Sequence, residues 1–324
     1  MSFMSLHQHV LVYEFLSAGA LIAGLSAHEQ VELQAQGTAM RNAMLADLCA
    51  LPGLRVTCVV GRQGDASRPE VAGVEPLPAR PGEPHADLLR RAAQAGAWVW
   101  AVAPETDGEL EALARAVPAR QWLGCTPEAI SLAASKSATR RHLAAHGIAV
   151  PQAPPHAPGP WVVKPDDGAG ATDTRRHASF AAAQADAQQR VSHGATCTLE
   201  PWVEGEALSL SLCCHDGNAS LLSINRQHIE VDAQGAVHFL GVQAAAIDAR
   251  GERGTRLAAL ADYVSRAMPG LRGFVGVDLV WHASQGPVVI EVNPRLTTAY
   301  VGLSGRLGFN VAQHLLATLG GAPA

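Results

Sequence analysis

Gly276-Val277-Asp278-Leu279-Val280-Trp281 and Val288-Val289-Ile290-Glu291-Val292-Asn293 read as the two arms of one β-hairpin. With side chains alternating along each arm, a turn centred between Ser284 and Gln285 sets Asp278 opposite Glu291 and Val280 opposite Val289. Val277, Leu279, Ile290 and Val292 then form the other, apolar face. Like charges directly opposite each other destabilise a sheet, so a cation between them makes better sense of the pairing. Two carboxylates and the Asn293 amide form an all-oxygen set that suits hard Mg²⁺ or Mn²⁺, and such a site usually holds phosphates. Incidental acids on a solvated hairpin face are the alternative reading of the segment.

Around this hairpin the chain changes character. Val10 to Tyr13, Arg55 to Val60 and Ala97 to Ala103 read as strands, separated by a helical pattern around Met40, Met44, Leu45 and Leu48 and followed by a helix from Glu109 to Ala116. That βαβ alternation predicts a small parallel-sheet domain over residues 1–124. Thr126 and Ser135 read as the caps of two successive helices, the second ending at His146-Gly147, and Pro151 to Pro160 is a proline-rich connector. Strand Trp161 to Lys164, helix Phe180 to Val191 and strand Thr196 to Glu200 complete a second unit, 125–200. From 201 to 324 the pattern is mostly strands (Leu208 to Cys214, Leu221 to Ile224, Val237 to Leu240, and the hairpin), with helices at Arg256 to Ala267 and Asn310 to Leu319. The fold class is α/β followed by α+β.

Composition excludes several classes. The 324 residues are 48% hydrophobic and 16% charged, as in an ordinary globular protein of more than one packed unit. A formal charge of -5, without a basic run, argues against a nucleic-acid partner. The chain has no apolar stretch of about 18 residues and no signal-peptide pattern at its start, so no membrane association and a cytoplasmic location are expected. The six cysteines form no CxxC pair and read as reduced core thiols.

Two lysines point to phosphate. Lys164 ends an apolar strand before Pro165-Asp166-Asp167-Gly168-Ala169-Gly170, a loop whose backbone amides can approach an anion, although an Asp-Gly hairpin turn would read the same way. Lys136 stands in the first turn of a helix, where a lysine opposes the dipole unless an anion is also there. Neither common nucleotide fingerprint is present: Leu25-Ser26 follows Gly19 to Gly24 where a Walker A loop needs Lys-Ser/Thr, and Gly168-Ala169-Gly170 lacks the third glycine of GxGxxG. Glu200-Pro201-Trp202-Val203-Glu204-Gly205-Glu206 has the equipment for an adenine edge and a ribose diol, or for a plain surface turn.

This succession of motifs resembles the ATP-grasp fold. The resemblance implies an N-terminal pre-ATP-grasp βαβ domain and two α+β subdomains that clasp ATP, with Mg²⁺ or Mn²⁺ as the metal. By that match Lys136 and Lys164 bind phosphates, Gly168 and Gly170 form the mobile loop, Glu200, Pro201, Trp202 and Val203 meet adenine, and Glu204 or, preferably, Glu206 takes the ribose. Asp278, Glu291 and Asn293 match the metal ligands, with Arg295 beside them for charge on the transferring phosphoryl group. Ala103 to Gly108, Ile224-Asn225-Arg226-Gln227 and the run Glu291 to Leu303 are similar, more narrowly, to the tyramine-glutamate ligases of methanofuran synthesis. That likeness implies small-molecule substrates, an amino acid and an amine, and leaves room for a homodimer.

Arg226 is expected to be catalytic together with Arg295, with Asn225 and Gln227 beside it as substrate contacts, because clustered donors suit a carboxylate and an acyl phosphate, although a structural polar role would read the same way. Glu14 follows the first strand, where open parallel sheets commonly bind ligands, and its charge suits an ammonium group. Thr297, Thr298 and Tyr300 follow the metal strand into the expected cleft.

Overall fold

The computed structural model describes residues 8–22, 27–61, 69–154, 157–167 and 171–320. The apolar runs of the N-terminal part form a parallel sheet of β1 (Gln8–Glu14), β2 (Leu54–Val60), β3 (Glu75–Pro78) and β4 (Trp98–Val102), in the order β3-β2-β1-β4. Alternation along β1 decides the packing. Val10 and Val12 bury against Met44, Leu45 and Leu48 of α1 (Ala27–Cys49), while Leu11 and Tyr13 bury against Leu88 and Leu89 of α2 (His85–Gln94) and Leu110 and Leu113 of α3 (Glu109–Ala116). Both faces are therefore covered, as a parallel sheet requires. The short β3 was not legible in the sequence because Pro76 and Pro78 interrupt it, and prolines are tolerated there because it is an edge strand.

Thr126 and Ser135 cap α4 (Pro127–Ala134) and α5 (Lys136–Ala145), their side chains accepting from the Ala129 and Ala138 N–H groups. Both helices pack against the hairpin. A second sheet, antiparallel and ordered β6-β5-β7, is built from β5 (Trp161–Pro165), β6 (Arg175–His177) and β7 (Cys197–Pro201). Trp161 and Val163 bury under α6 (Phe180–Ser192), which leaves Val162 and Lys164 to the other face.

The third sheet is antiparallel, in the order β10-β9-β8-β11-β12, with β8 (Glu206–His215), β9 (Asn218–Val231), β10 (Val237–Ile247), β11 (Gly273–His282) and β12 (Gly286–Asn293). One face packs on α7 (Glu252–Ala267) and shares a single apolar cluster with α4 and the parallel sheet, from Leu208 and Val277 through Ile130 to Leu11. The chain closes with α8 (Leu303–Leu307) and α9 (Val311–Thr318), the latter packed on α1.

The hairpin departs from the expected register at one point. Asp278 does pair with Glu291, but Leu279 pairs with Val289 and Val280 with Val288, because Ile290 is the extra residue of a β-bulge. The bulge sets Ile290 beside Glu291 on the cavity side and returns Val289 and Val292 to the core, whereas simple alternation had put Ile290 on the apolar face.

Candidate active site

The free faces of the two antiparallel sheets and the carboxyl ends of β1 and β4 enclose a cavity of about 720 Å³, with β5 and β7 on one wall and the hairpin on the other. On the hairpin wall, burial and the facing Glu291 push the Asp278 carboxyl up to about 7. Two amides partly offset this: Gln227 Nε2 donates to Asp278 Oδ1 at 2.9 Å and Asn293 Nδ2 to Oδ2 at 3.1 Å. Lys136, at the start of α5, lies 3.2 Å from Glu291 Oε1. The like-charged pair is thus held by an ammonium and two amides.

A divalent cation fits this wall on its chemistry. Two carboxylates and an amide oxygen are hard donors, and a cation would offset both the burial of Asp278 and its repulsion from Glu291. No cluster of three or more His, Cys, Asp or Glu that could hold a metal occurs among the described residues, so a cation on this wall would have two carboxylates and an amide oxygen rather than three acids.

On the facing wall Lys164 and Glu200, both buried, meet at 2.5 Å. Arg140 Nε approaches the other Glu200 oxygen at 4.0 Å. Pro201, Trp202 and Val203 continue this wall; the Trp202 N–H donates to Pro160 O at 3.0 Å and the Arg176 guanidinium lies 5.5 Å from the Trp202 ring. Arg295 also lines the cavity, gripped by Glu105 through Nε at 2.9 Å and Nη2 at 3.2 Å. Burial works against its charge, but Glu105, Glu291 and Asp278 outweigh burial and hold the guanidinium firmly protonated.

Glu14 closes the cavity at the end of β1. It is buried, and burial raises its pKa although its oxygens accept from the Leu16 N–H at 3.2 Å and the Ser17 N–H at 2.7 Å. A side chain at Gly37 of α1 would collide with the Glu14 carboxylate, so glycine there lets the helix approach it closely. Leu16, Ile22, Leu33 and Met40 supply apolar surface beside it, and Thr297 and Thr298 line the same cavity.

Four expected residues lie elsewhere. Arg226 of β9 pairs with Leu208 of β8 and so shares its side of the sheet, the α7 face, where its Nε meets Glu206 Oε1 at 2.9 Å. Glu206 also accepts from Arg253 at 2.7 Å; burial raises its pKa, and the two arginines outweigh that and lower it. Neither lines the cavity, because strand alternation gives that face to Ala207, Ser209 and Gln227. Glu204 does line it, paired with Arg176 at 3.3 Å.

Asn225 lies on the cavity side but is fully buried below the lining. Its amide donates to Ser209 and Ser211 and accepts from Ser223 and the Ala245 N–H, so its hydrogen-bonding capacity is used within the sheet. Tyr300 is a core residue, packed edge-on against Trp100 and Phe274 with its hydroxyl donating to Asp47 at 2.6 Å. Gly168 and Gly170 lie outside the described residues. Sequence reasoning missed Glu105, which is 190 residues from Arg295. The acidic loop Pro104-Glu105-Thr106-Asp107 was a visible signal for it.

Comparison with known proteins bears on the family and the fold. The sequence model of the ATP-grasp domain matches residues 133–299, and that of the pre ATP-grasp 3 domain matches residues 54–130. The tyramine--L-glutamate ligase of Methanocaldococcus jannaschii is 30% identical over 206 residues, which span 62% of this chain and 56% of that protein. The match thus spans just over half the length of that relative. A putative ATP-grasp superfamily protein from Archaeoglobus fulgidus superposes with a TM-score of 0.69 at 21% identity, covering 96% of this chain and 88% of that one. The L-amino acid ligase from Bacillus licheniformis superposes with a TM-score of 0.64 at 17% identity, covering 98% and 75%.

Proposed function

Because this chain belongs to the ATP-grasp family, we propose that it is an ATP- and Mg²⁺-dependent carboxylate-amine ligase, joining the glutamate side-chain carboxylate to tyramine or tyrosine. The observation that carries the reading is the convergence on one cavity of Lys136, Asp278 and Glu291 from one wall and Lys164 and Glu200 from the other. The relatives' printed name supplies tyramine and glutamate as the substrates; a role in methanofuran-type cofactor synthesis and a cytoplasmic setting are part of the same proposal and come from the motif resemblance. No helix among the described residues is long and apolar enough to cross a membrane.

In this reading Asp278, Glu291 and Asn293 hold the Mg²⁺ (or Mn²⁺), which supplies charge neutralisation for the phosphates. Lys136 and Lys164 exchange their carboxylate partners for phosphate oxygens, and Pro201, Trp202 and Val203 border the base. A substrate carboxylate oxygen attacks the γ-phosphorus, ADP leaves, and an acyl phosphate forms. The neutral amine nitrogen then attacks the acyl carbon and gives up a proton, and inorganic phosphate leaves with the bridging oxygen and takes that proton up. Arg295, held in place by Glu105, faces the charge that grows during transfer. Glu14 offers a carboxylate to the substrate ammonium, beside an apolar wall that suits an aromatic ring.

The test is ADP release measured over a panel of amines, with and without glutamate. Release that needs glutamate and rises with tyramine or tyrosine is expected; ATP binding without release for any such combination overturns the substrates. A second reading, the same chemistry on another amino-acid carboxylate, is favoured by Arg226, which was the expected carboxylate partner and faces away from the cavity. The same panel with glutamate replaced decides between them.

A further inference from the structure

We infer that Asp166 is a positioning residue that fixes Lys136 and Lys164 relative to each other, an inference that rests on the ligase reading only in giving phosphates to these two lysines. Asp166 stands two residues after Lys164 and is buried. Its side chain closes the first turn of α5 from 30 residues away: Oδ1 accepts the Ser137 N–H at 2.9 Å, and Oδ2 accepts the Ser135 hydroxyl at 2.6 Å and the Ser137 hydroxyl at 3.3 Å. Its backbone oxygen accepts the Lys136 N–H at 2.9 Å, and its own N–H donates to Thr196 O at 3.1 Å.

The orphan donors at the helix start are thus met within the chain: the Asp166 carboxylate takes the Ser137 N–H, its backbone oxygen the Lys136 N–H, and Ser135 Oγ the Ala138 N–H. The anion that a lysine in the first turn of α5 calls for is therefore Asp166. With the helix end already neutralised, the α5 backbone has little left to offer a phosphate, and recognition falls to the two ammonium groups. Their spacing is set by this one residue, because Lys136 begins the helix that Asp166 grips and Lys164 lies on the strand that carries Asp166. Ser135 reinforces the tie by donating to Asp166 while accepting from the Ala138 N–H at 3.1 Å.

A residue that only stabilised α5 would weaken every ligand of the cavity alike, whereas a positioning residue acts on the phosphates. Calorimetric titration of the full chain with Mg²⁺-ATP and, separately, with adenosine separates the two. Asp166→Ala should weaken ATP about tenfold or more and leave adenosine unchanged, as expected for misplaced charge-assisted contacts. Asp166→Asn keeps an acceptor for the Ser137 N–H and should restore ATP affinity to within about threefold. If Asp166→Ala does not fold, Ser135→Ala, which removes one of the ties, should show the same selective loss of ATP. Equal losses for ATP and adenosine, or no loss for either, overturn the inference. A wild-type protein that does not bind ATP overturns the ligase reading itself.

Discussion

Asp278 carries a charge conflict that two amides and one lysine only partly resolve. Its folded value of about 7 lies above the model-compound value of 3.8, so the folded chain keeps a proton that the unfolded chain gives up. The stabilising contribution is complete below the lower value and is lost as pH rises through the upper one. Asp278→Asn should therefore melt higher than wild type at pH ~8, by at least the 2–4 °C that about 1 kcal/mol produces, and no higher at pH ~4. Ligand-free melting curves across that range check this; a difference independent of pH contradicts it. The same substitution should lower turnover by ~10²-fold or more, since a ligand of the proposed cation is removed. The facing of Asp278 and Glu291 was read correctly although the turn centres on Ser284 rather than between Ser284 and Gln285, because the bulge at Ile290 offsets that half-residue difference. The bulge itself was not legible, because a single extra residue leaves no compositional mark.

Strand alternation also decides what the elements can offer the cavity. Asn225, Arg226 and Gln227 form one donor-rich run, yet a strand cannot aim three consecutive side chains at one ligand, and the period of two assigns Arg226 to α7. That much could have been read from the sequence. Arg226→Ala should reduce turnover by less than about tenfold and cost about 1 kcal/mol or less, because the pair with Glu206 is partly exposed and Arg253 still holds Glu206. A loss of ~10²-fold in turnover with ATP affinity intact would return Arg226 to the chemistry. Tyr300 teaches the complementary lesson: it follows the metal strand in sequence, but a turn at Thr298–Tyr300 swings it into the core. Tyr300→Phe should cost about 1 kcal/mol through the lost bond to Asp47, which Ser304 still satisfies in part, and leave KM values unchanged. Denaturant unfolding together with steady-state kinetics reads both quantities.

At the scale of the whole molecule, the sheets and most helices were legible because strong local signals mark them: buried strand runs, the Thr126 and Ser135 caps, and the proline-rich connector. The contacts that finish the cavity were not. Glu105 reaches Arg295 across 190 residues and Gln227 reaches Asp278 across 51, distances over which no local pattern extends. The central claim is that these distant pieces assemble a cavity in which ATP activates a carboxylate as its acyl phosphate before an amine attacks. Glutamate carrying heavy oxygen in its side-chain carboxylate, turned over with ATP and tyramine, tests this most directly through the mass of the released phosphate. One labelled oxygen should appear in each inorganic phosphate. Unlabelled phosphate alongside ADP and amide would contradict the claim.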